Sequence, residues 1–308
     1  MPVGPFDRRL NASAEDELRR VREPEQPARR KRGSPDLLTG LAGALRPVAP
    51  GASPLERLSL QAVEYAASLD LDDAATLGSR LYRFNTLPAS PSARRRWPDA
   101  DAVATFLQLD RYASDPGIVV RTSGAWYGWR VRRARRPLRP EPSYKLYVSP
   151  RADGMPAALR EVIARLVDSR ALECKVGRDV HGLLRPDKLI VYFRTLAELR
   201  TAAKRWARAL AGLPAQGVPF TADISGDGLL SWGLDPPDLR RGRARRAPAL
   251  SWRTWLTRRL ADALVVARRS PAAAVSPARF ALDRVALDGV DPRTWTPSRW
   301  LRRAATFR

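Results

Sequence analysis

From residue 54 onward apolar side chains recur at helical spacing. Leu55, Leu58, Leu60, Val63, Tyr65, Ala66 and Leu69 predict a first amphipathic helix. Asp72-Asp73 offer a cap for a second, which runs through Leu77, Leu81 and Tyr82 and ends at Phe84-Asn85-Thr86-Leu87-Pro88. A third short helix fits Asp99 to Leu109. The period then changes. GIVVRTSG, WYGWRVRRARR and SYKLYVSP are β-branched and aromatic with alternation, and read as strands over residues 117–148. Alternation along the second puts Arg130 and Arg132 on one face, opposite Val131.

A strand–helix unit follows and is repeated. SYKLYVSP leads into the helical pattern PAALREVIARLVDSR, with Leu159, Val162, Ile163, Leu166 and Val167 on one stripe. LECKVG reads as the next strand, followed by a loop with His181 and Arg185, then the strand KLIVYF. The helix LAELRTAAKRWARALAGL is stopped by Gly212 and Pro214. VPFTADI and GLLSWGLD predict a last strand pair turning at Ser225-Gly226-Asp227-Gly228. Interleaving of this kind predicts an α+β fold, a mixed or antiparallel sheet with helices packed on it. Beyond Pro236-Pro237, Ser251 caps a long helix with Trp252, Trp255, Leu256, Leu260, Ala263 and Leu264 on one face. The last stretch carries Phe280, Leu282, Val285, Leu287, Val290, Trp295 and Trp300, whose tryptophans are expected to dock on the core rather than stack bases.

Residues 1–54 have no such periodicity. They are rich in Pro, Arg, Gly and Glu, with the run Arg29-Arg30-Lys31-Arg32, and predict a disordered basic head. The expected organisation is therefore a head (1–54), an α+β domain (55–236), and an Arg-rich linker with a helical C-terminal extension that packs on the core (237–308). The single cysteine, Cys174, leaves no internal disulfide framework and fits a reducing compartment. No apolar leader or membrane-length apolar run is visible, so a soluble cytoplasmic protein is expected, with no membrane partner.

The formal net charge of +23 draws polyanions or phosphorylated groups by long-range attraction. Yet the excess is almost all arginine, which also fits a compositional bias. Among the 55 Lys and Arg residues the lysines are Lys31, Lys145, Lys175, Lys188 and Lys204, and three of these fall between Lys145 and Lys188. Several chemistries drop out. One His and one Cys leave no cluster for a structural zinc site, so no metal is expected. No phosphate-cradling GxxxxGK[ST] loop is present, and no G-x-S-x-G elbow.

What remains is the block from Tyr144 to Phe193, with Lys145-x-Tyr147, Lys175, Arg178, His181, Arg185, Lys188 and Tyr192 on or beside expected strands. K-x-Y in a strand, a helix, then C-K-V and an arginine before a β-rich strand resembles the phospho-Ser/Thr lyase fold. That fold includes the type III effector phosphothreonine lyases, the lyase domains of class III lanthipeptide synthetases, and the HopA effector-like lyases of class V lanthipeptide pathways. The order of motifs is most similar to the last group, over roughly residues 55–236.

The resemblance implies β-elimination of phosphate from a phosphorylated peptide or protein, without cofactor or metal and with a separate kinase supplying the substrate. By position it implies Lys175 as base, Lys145 as the cation at the developing enolate-like oxygen, and Tyr147 as acid. Arg185 matches a phosphate-binding arginine, with Arg178 and His181 on the intervening loop able to close over the phosphate. Such a reaction needs a base for the Cα proton, cations for the phosphate and an acid for the leaving oxygen. A lysine serves as base when burial or neighbouring cations depress its pKa. Three departures stand out: Cys174 replaces the usual aromatic before the lysine, Pro186 follows Arg185, and no arginine lies between Phe220 and Pro236, where the family carries further phosphate ligands.

Plain structural readings stand beside these roles. Lys145 and Lys188 serve equally well as solvated charges at strand edges, the expectation for Lys188. His181 fits a surface loop, Tyr147 and Tyr192 fit a core, and Asp187 fits a local pair or turn cap. Three functions stay open on the residues: a phospho-Ser/Thr lyase, a non-catalytic protein of the same fold that binds an acidic or phosphorylated partner, and a nonspecific nucleic-acid binder. The last would use the head and residues 130–139 and 240–246, with affinity falling steeply with salt.

Overall fold

The computed structural model describes residues 52–112, 116–132, 144–236, 250–270 and 275–306. The basic head up to residue 51 and the Arg-rich linker 237–249 lie outside these residues, as do Arg133, Arg135 and Arg136. Helix α1 (Pro54–Ser68) starts where the apolar period starts: Ser53 accepts from the amide of Glu56 and Pro54 opens the first turn. Helix α2 (Ala74–Arg83) is capped by Asp73, and α4 (Ala100–Leu107), after the short α3 (Pro91–Arg96), by Asp99.

The strands are β1 (Ile118–Ser123), β2 (Trp126–Val131), β3 (Tyr144–Val148), β4 (Glu173–Gly177), β5 (Leu189–Phe193), β6 (Ala222–Asp223) and β7 (Leu230–Leu234). They form one sheet in the order β1-β2-β4-β5-β3-β7-β6, and every neighbouring pair is antiparallel. Helix α5 (Met155–Ala164) carries the chain from β3 to β4, a connection that could have made parallel neighbours. Strand β5 inserts between those two, and so removes the parallel pairing that a mixed sheet would have had.

Strand alternation divides the sheet into two chemically different faces. Trp129, Leu146, Val148, Cys174, Val176, Leu189, Val191, Phe193, Leu230 and Trp232 point one way. They are sealed by Leu159, Val162 and Ile163 of α5 and by Leu199, Ala202, Ala203 and Trp206 of α7 (Leu196–Ala209). Thr195 caps α7 through a reciprocal box with Glu198. The other face carries Trp126, Gly128, Lys145, Tyr147, Lys175, Ile190, Tyr192, Ser231 and Gly233.

A second apolar cluster joins α1 and α2 to α8 (Trp252–Arg269), α9 (Pro277–Leu287) and α10 (Arg299–Thr306), with Phe220 and Trp295 inside it. Ser251 caps α8 as its sequence position predicts. This group meets the polar face of the sheet at β7: the Trp252 indole lies over Gly233, where a Cβ would fall 2.4 Å from its ring, and its Nε1 donates to Phe220 O at 2.9 Å. Only glycine admits α8 at that point. Trp295 is buried as expected, whereas Trp300 is half exposed.

Candidate functional site

The antiparallel register sets two rows across the polar face. Gly128, Lys175, Ile190, Tyr147 and Ser231 lie abreast in one, and Arg130, Glu173, Tyr192, Lys145 and Gly233 in the next. Lys175 and Lys145 thus sit diagonally across β5, on either side of Tyr192. Their Nζ atoms are 5.6 Å and 5.4 Å from its ring centroid. Lys145 also pairs with Asp235 Oδ1 at 2.8 Å, and the same oxygen accepts from the Trp252 amide at the start of α8.

Arg185 arrives by a tight reversal after β4. The expected loop there contains a short helix, α6 (Val180–Leu184), whose amide at Gly182 is capped by Asp179. Gly177 and Gly182 touch backbone to backbone: a Cβ on Gly177 would lie 2.4 Å from the Gly182 carbonyl carbon. The close approach turns the chain so that the Arg185 guanidinium stands over Trp126, 4.9 Å from its ring, while Lys175 Nζ is 4.2 Å from that same ring. Trp126 is therefore a shared floor for the two cations.

Arg185 is held in place from the other side. Its Nε and Nη2 donate to Asp187 Oδ1 at 2.5 Å and Oδ2 at 3.1 Å, a bidentate fork, and Nη2 also donates to the Tyr82 hydroxyl at 2.8 Å. The Tyr82 hydroxyl in turn donates to Asp187 Oδ2 at 3.1 Å. Arg253 of α8, 1% exposed, reaches the same Oδ2 with Nη1 at 2.8 Å and donates to the backbone oxygens of Tyr82 and Pro219. Burial alone would raise the Asp187 carboxyl, but the two guanidiniums hold it well below the usual carboxylate range.

The convergence of cations has its largest effect on Lys175. Burial first, then the charges of Lys145 and Arg185, lower its pKa to about 8. Lys188 is lowered to about 7 by burial. It is not the solvated edge charge expected from its position. It is fully enclosed, donating to Pro150 O at 2.7 Å and to the Gln216 side chain, on the segments that follow β3 and α7. Burial pushes the Tyr147 and Tyr192 phenols well above their ordinary value.

Of the residues singled out in the sequence, the fold brings Lys175, Lys145 and Arg185 into one electropositive group. Tyr147 shares their face but is 2% exposed, enclosed between β5 and β7. Arg178 does not join them. Its guanidinium lies 6.0 Å from the Tyr127 ring, on the opposite face of β2 from Trp126, and donates to Gly124 O at 3.3 Å. His181 is exposed on the first turn of α6. Sequence reasoning passed over Tyr82, Trp126, Asp235 and Arg253. One signal was available: Arg253 falls on the Leu256–Leu260–Leu264 stripe of α8, where a cation must find a buried partner. Asp187 pairs locally, as expected, but also across the molecule.

The chain is similar to the effector protein from Pseudomonas syringae pv. tomato strain DC3000, with a TM-score of 0.54 at 13% identity over 80% of this chain and 98% of that one. It therefore has that protein's fold, and the expected resemblance to effector-type proteins is met at that level. The effector protein from Pseudomonas syringae pv. syringae strain 61 aligns at 13% identity and a TM-score of 0.49, over 81% and 100% of the two chains. The type III effector/phosphothreonine lyase OspF from Shigella flexneri aligns at 12% identity over 49% of this chain and 79% of its own, with a TM-score of 0.34, too low to bear on the fold. No family model matches the chain, and no curated protein does. Among the described residues, no helix is long and apolar enough to cross a membrane.

Proposed function

We propose that the protein is a lyase that eliminates phosphate from phosphoserine or phosphothreonine in a peptide or protein, leaving the dehydro residue. The observation that carries the reading is Lys175: burial and two flanking cations lower it to about 8. About a tenth of it is therefore neutral at pH 7, against fewer than about one in a thousand for an ordinary lysine, and the neutral form is what a general base must be. Neutral Lys175 Nζ takes the Cα proton. The electron pair of that C–H bond forms the Cα=Cβ double bond, the Cβ–O bond breaks, and the phosphate leaves with its oxygen. Lys145, held by Asp235, supplies positive charge where the adjacent carbonyl oxygen becomes enolate-like.

Arg185 is the phosphate ligand: Asp187 takes its Nε and Nη2 and fixes the guanidinium plane, and the phosphate approaches the opposite, Nη1 side of that plane. The roles that sequence position implied for Arg178 and His181 find no support in their placement. A separate kinase supplies the substrate, and a Ser/Thr/Cys-rich precursor peptide of the lanthipeptide type is the first substrate to try. The test is mass spectrometry of phosphopeptides incubated with the protein: loss of phosphoric acid in the wild type, and none with Lys175→Ala at preserved fold. Full activity in Lys175→Ala would remove the base assignment. Phosphopeptide binding without mass change would leave a non-catalytic binder.

A further inference from the structure

We propose that Tyr82 is the proton donor to the departing phosphate, an inference that rests on the elimination reading above. A phosphate ester that leaves unprotonated departs as a trianion, so the bridging oxygen needs a proton as the Cβ–O bond breaks. Tyr147, the acid implied by sequence position, is enclosed beneath the sheet face. Tyr82 is partly accessible, and its hydroxyl lies 2.8 Å from Arg185 Nη2. A phosphate held by that guanidinium brings its oxygens beside the phenol.

The surroundings suit proton transfer. The Tyr82 ring lies 4.5 Å from the Arg253 guanidinium and 5.8 Å from that of Arg185. Its hydroxyl donates to Asp187 Oδ2 at 3.1 Å and turns from that carboxylate to the phosphate when substrate binds. A phenolate formed by giving up the proton would face two guanidiniums and the one carboxylate they share, a site that stays net positive. Its backbone is pinned as well. The carbonyl of Tyr82 accepts from Arg253 at 2.6 Å. Close beyond it, Asn85, in the left-handed region at φ 66, donates to Gln216 O and Gly217 O at 2.8 Å and 2.9 Å. The hydroxyl thus comes from a rigid helix end rather than a loop.

In the balanced step, Lys175 takes the Cα proton, Tyr82 gives its hydroxyl proton to the bridging oxygen, and hydrogen phosphate leaves. The proton on Lys175 then returns to the phenolate through water, restoring both groups. No further reactant is needed. Asp187 and Arg253 are positioning residues that act through Tyr82 and Arg185.

The test is Tyr82→Phe, with its fold checked by thermal melting and its kinetics followed across pH on a phosphothreonine peptide. We expect kcat to fall by roughly 10²–10⁴, the usual worth of a general acid, with KM little changed and the alkaline decline of the wild-type profile lost. Tyr82→His, which replaces one donor by another, should recover part of kcat with the decline moved to lower pH. Unchanged kcat in Tyr82→Phe, a loss confined to KM, or a folded Tyr82→His no faster than Tyr82→Phe overturns the assignment. In each of those cases the elimination reading stands as long as the wild type is active and Lys175→Ala is not. A wild type that releases no phosphate from any phosphopeptide overturns the elimination reading, and this inference with it.

Discussion

Lys175→Met should make the protein more stable while abolishing elimination. The folded state holds this lysine at about 8 against an ordinary 10.5. At about 1.36 kcal/mol for each tenfold in the acid constant, keeping the ammonium in the folded protein costs on the order of 3 kcal/mol at pH 7. The Trp126 ring under the ammonium offsets part of what the variant gains, about 0.5–1 kcal/mol. A methionine of similar length fills the space without charge, so a net gain of about 2 kcal/mol is expected.

The pH dependence has a definite sign. Because the folded value lies below the unfolded one, the unfolded chain binds the extra proton between about 8 and 10.5, and wild-type stability rises with pH across that window. The advantage of the variant is therefore complete below about pH 8 and shrinks as pH rises toward 10.5. Urea denaturation followed by tryptophan fluorescence, at pH 7 and again at pH 9.5, reads both quantities from the midpoint at constant slope. A variant less stable than the wild type at pH 7, or an advantage that grows with pH, would refute the idea that burial and the neighbouring cations strain this lysine.

Two further outcomes follow from the contacts around it. Arg253→Met removes one of the two cations from the buried Asp187 carboxylate and should cost about 3 kcal/mol in denaturant midpoint, toward the lower end for a broken buried pair because Arg185 still holds the carboxylate; it should also slow elimination by loosening Arg185, which single-turnover kinetics would show. Gly177→Ala sets a methyl 2.4 Å from the backbone of Gly182, where no side chain can swing aside, and should cost about 1–3 kcal/mol together with most activity, since the reversal that delivers Arg185 must open; unchanged melting and turnover would show that this close contact is unimportant.

Much of the site was legible before any contact was known. Alternation places Lys145 with Tyr147 and Lys175 with Glu173 on shared faces, and strand pairing needed only to bring β3, β4 and β5 together in antiparallel register. The arginine after the turn also emerged, as part of a motif. Lys188 shows where local reasoning fails. Its parity was readable, yet whether its ammonium meets water or protein depends on Pro150 and Gln216, which lie 38 and 28 residues away in the chain. Arg178 fails for the mirror reason: the same short turn that carries Arg185 to the polar face leaves Arg178 beside Tyr127, on the opposite, helix-covered face of β2.

Periods, strand faces and the caps at Asp73 and Ser251 came from the sequence alone, because such caps bond to amides three residues away and apolar spacing repeats within each element; the end of α5 did not, since the apolar stripe runs on to Leu166 and Val167 while the helix stops at Ala164. Caps and periods are interactions between near neighbours, and near neighbours leave a local trace. Only the tertiary structure decided that β5 lies between β3 and β4, that Tyr82 meets Arg185, and that Arg253 of the last long helix closes on Asp187. Each of these depends on which buried charge finds which counter-charge across the whole chain. That choice is set by packing of the two helical layers, and no short stretch of residues encodes it.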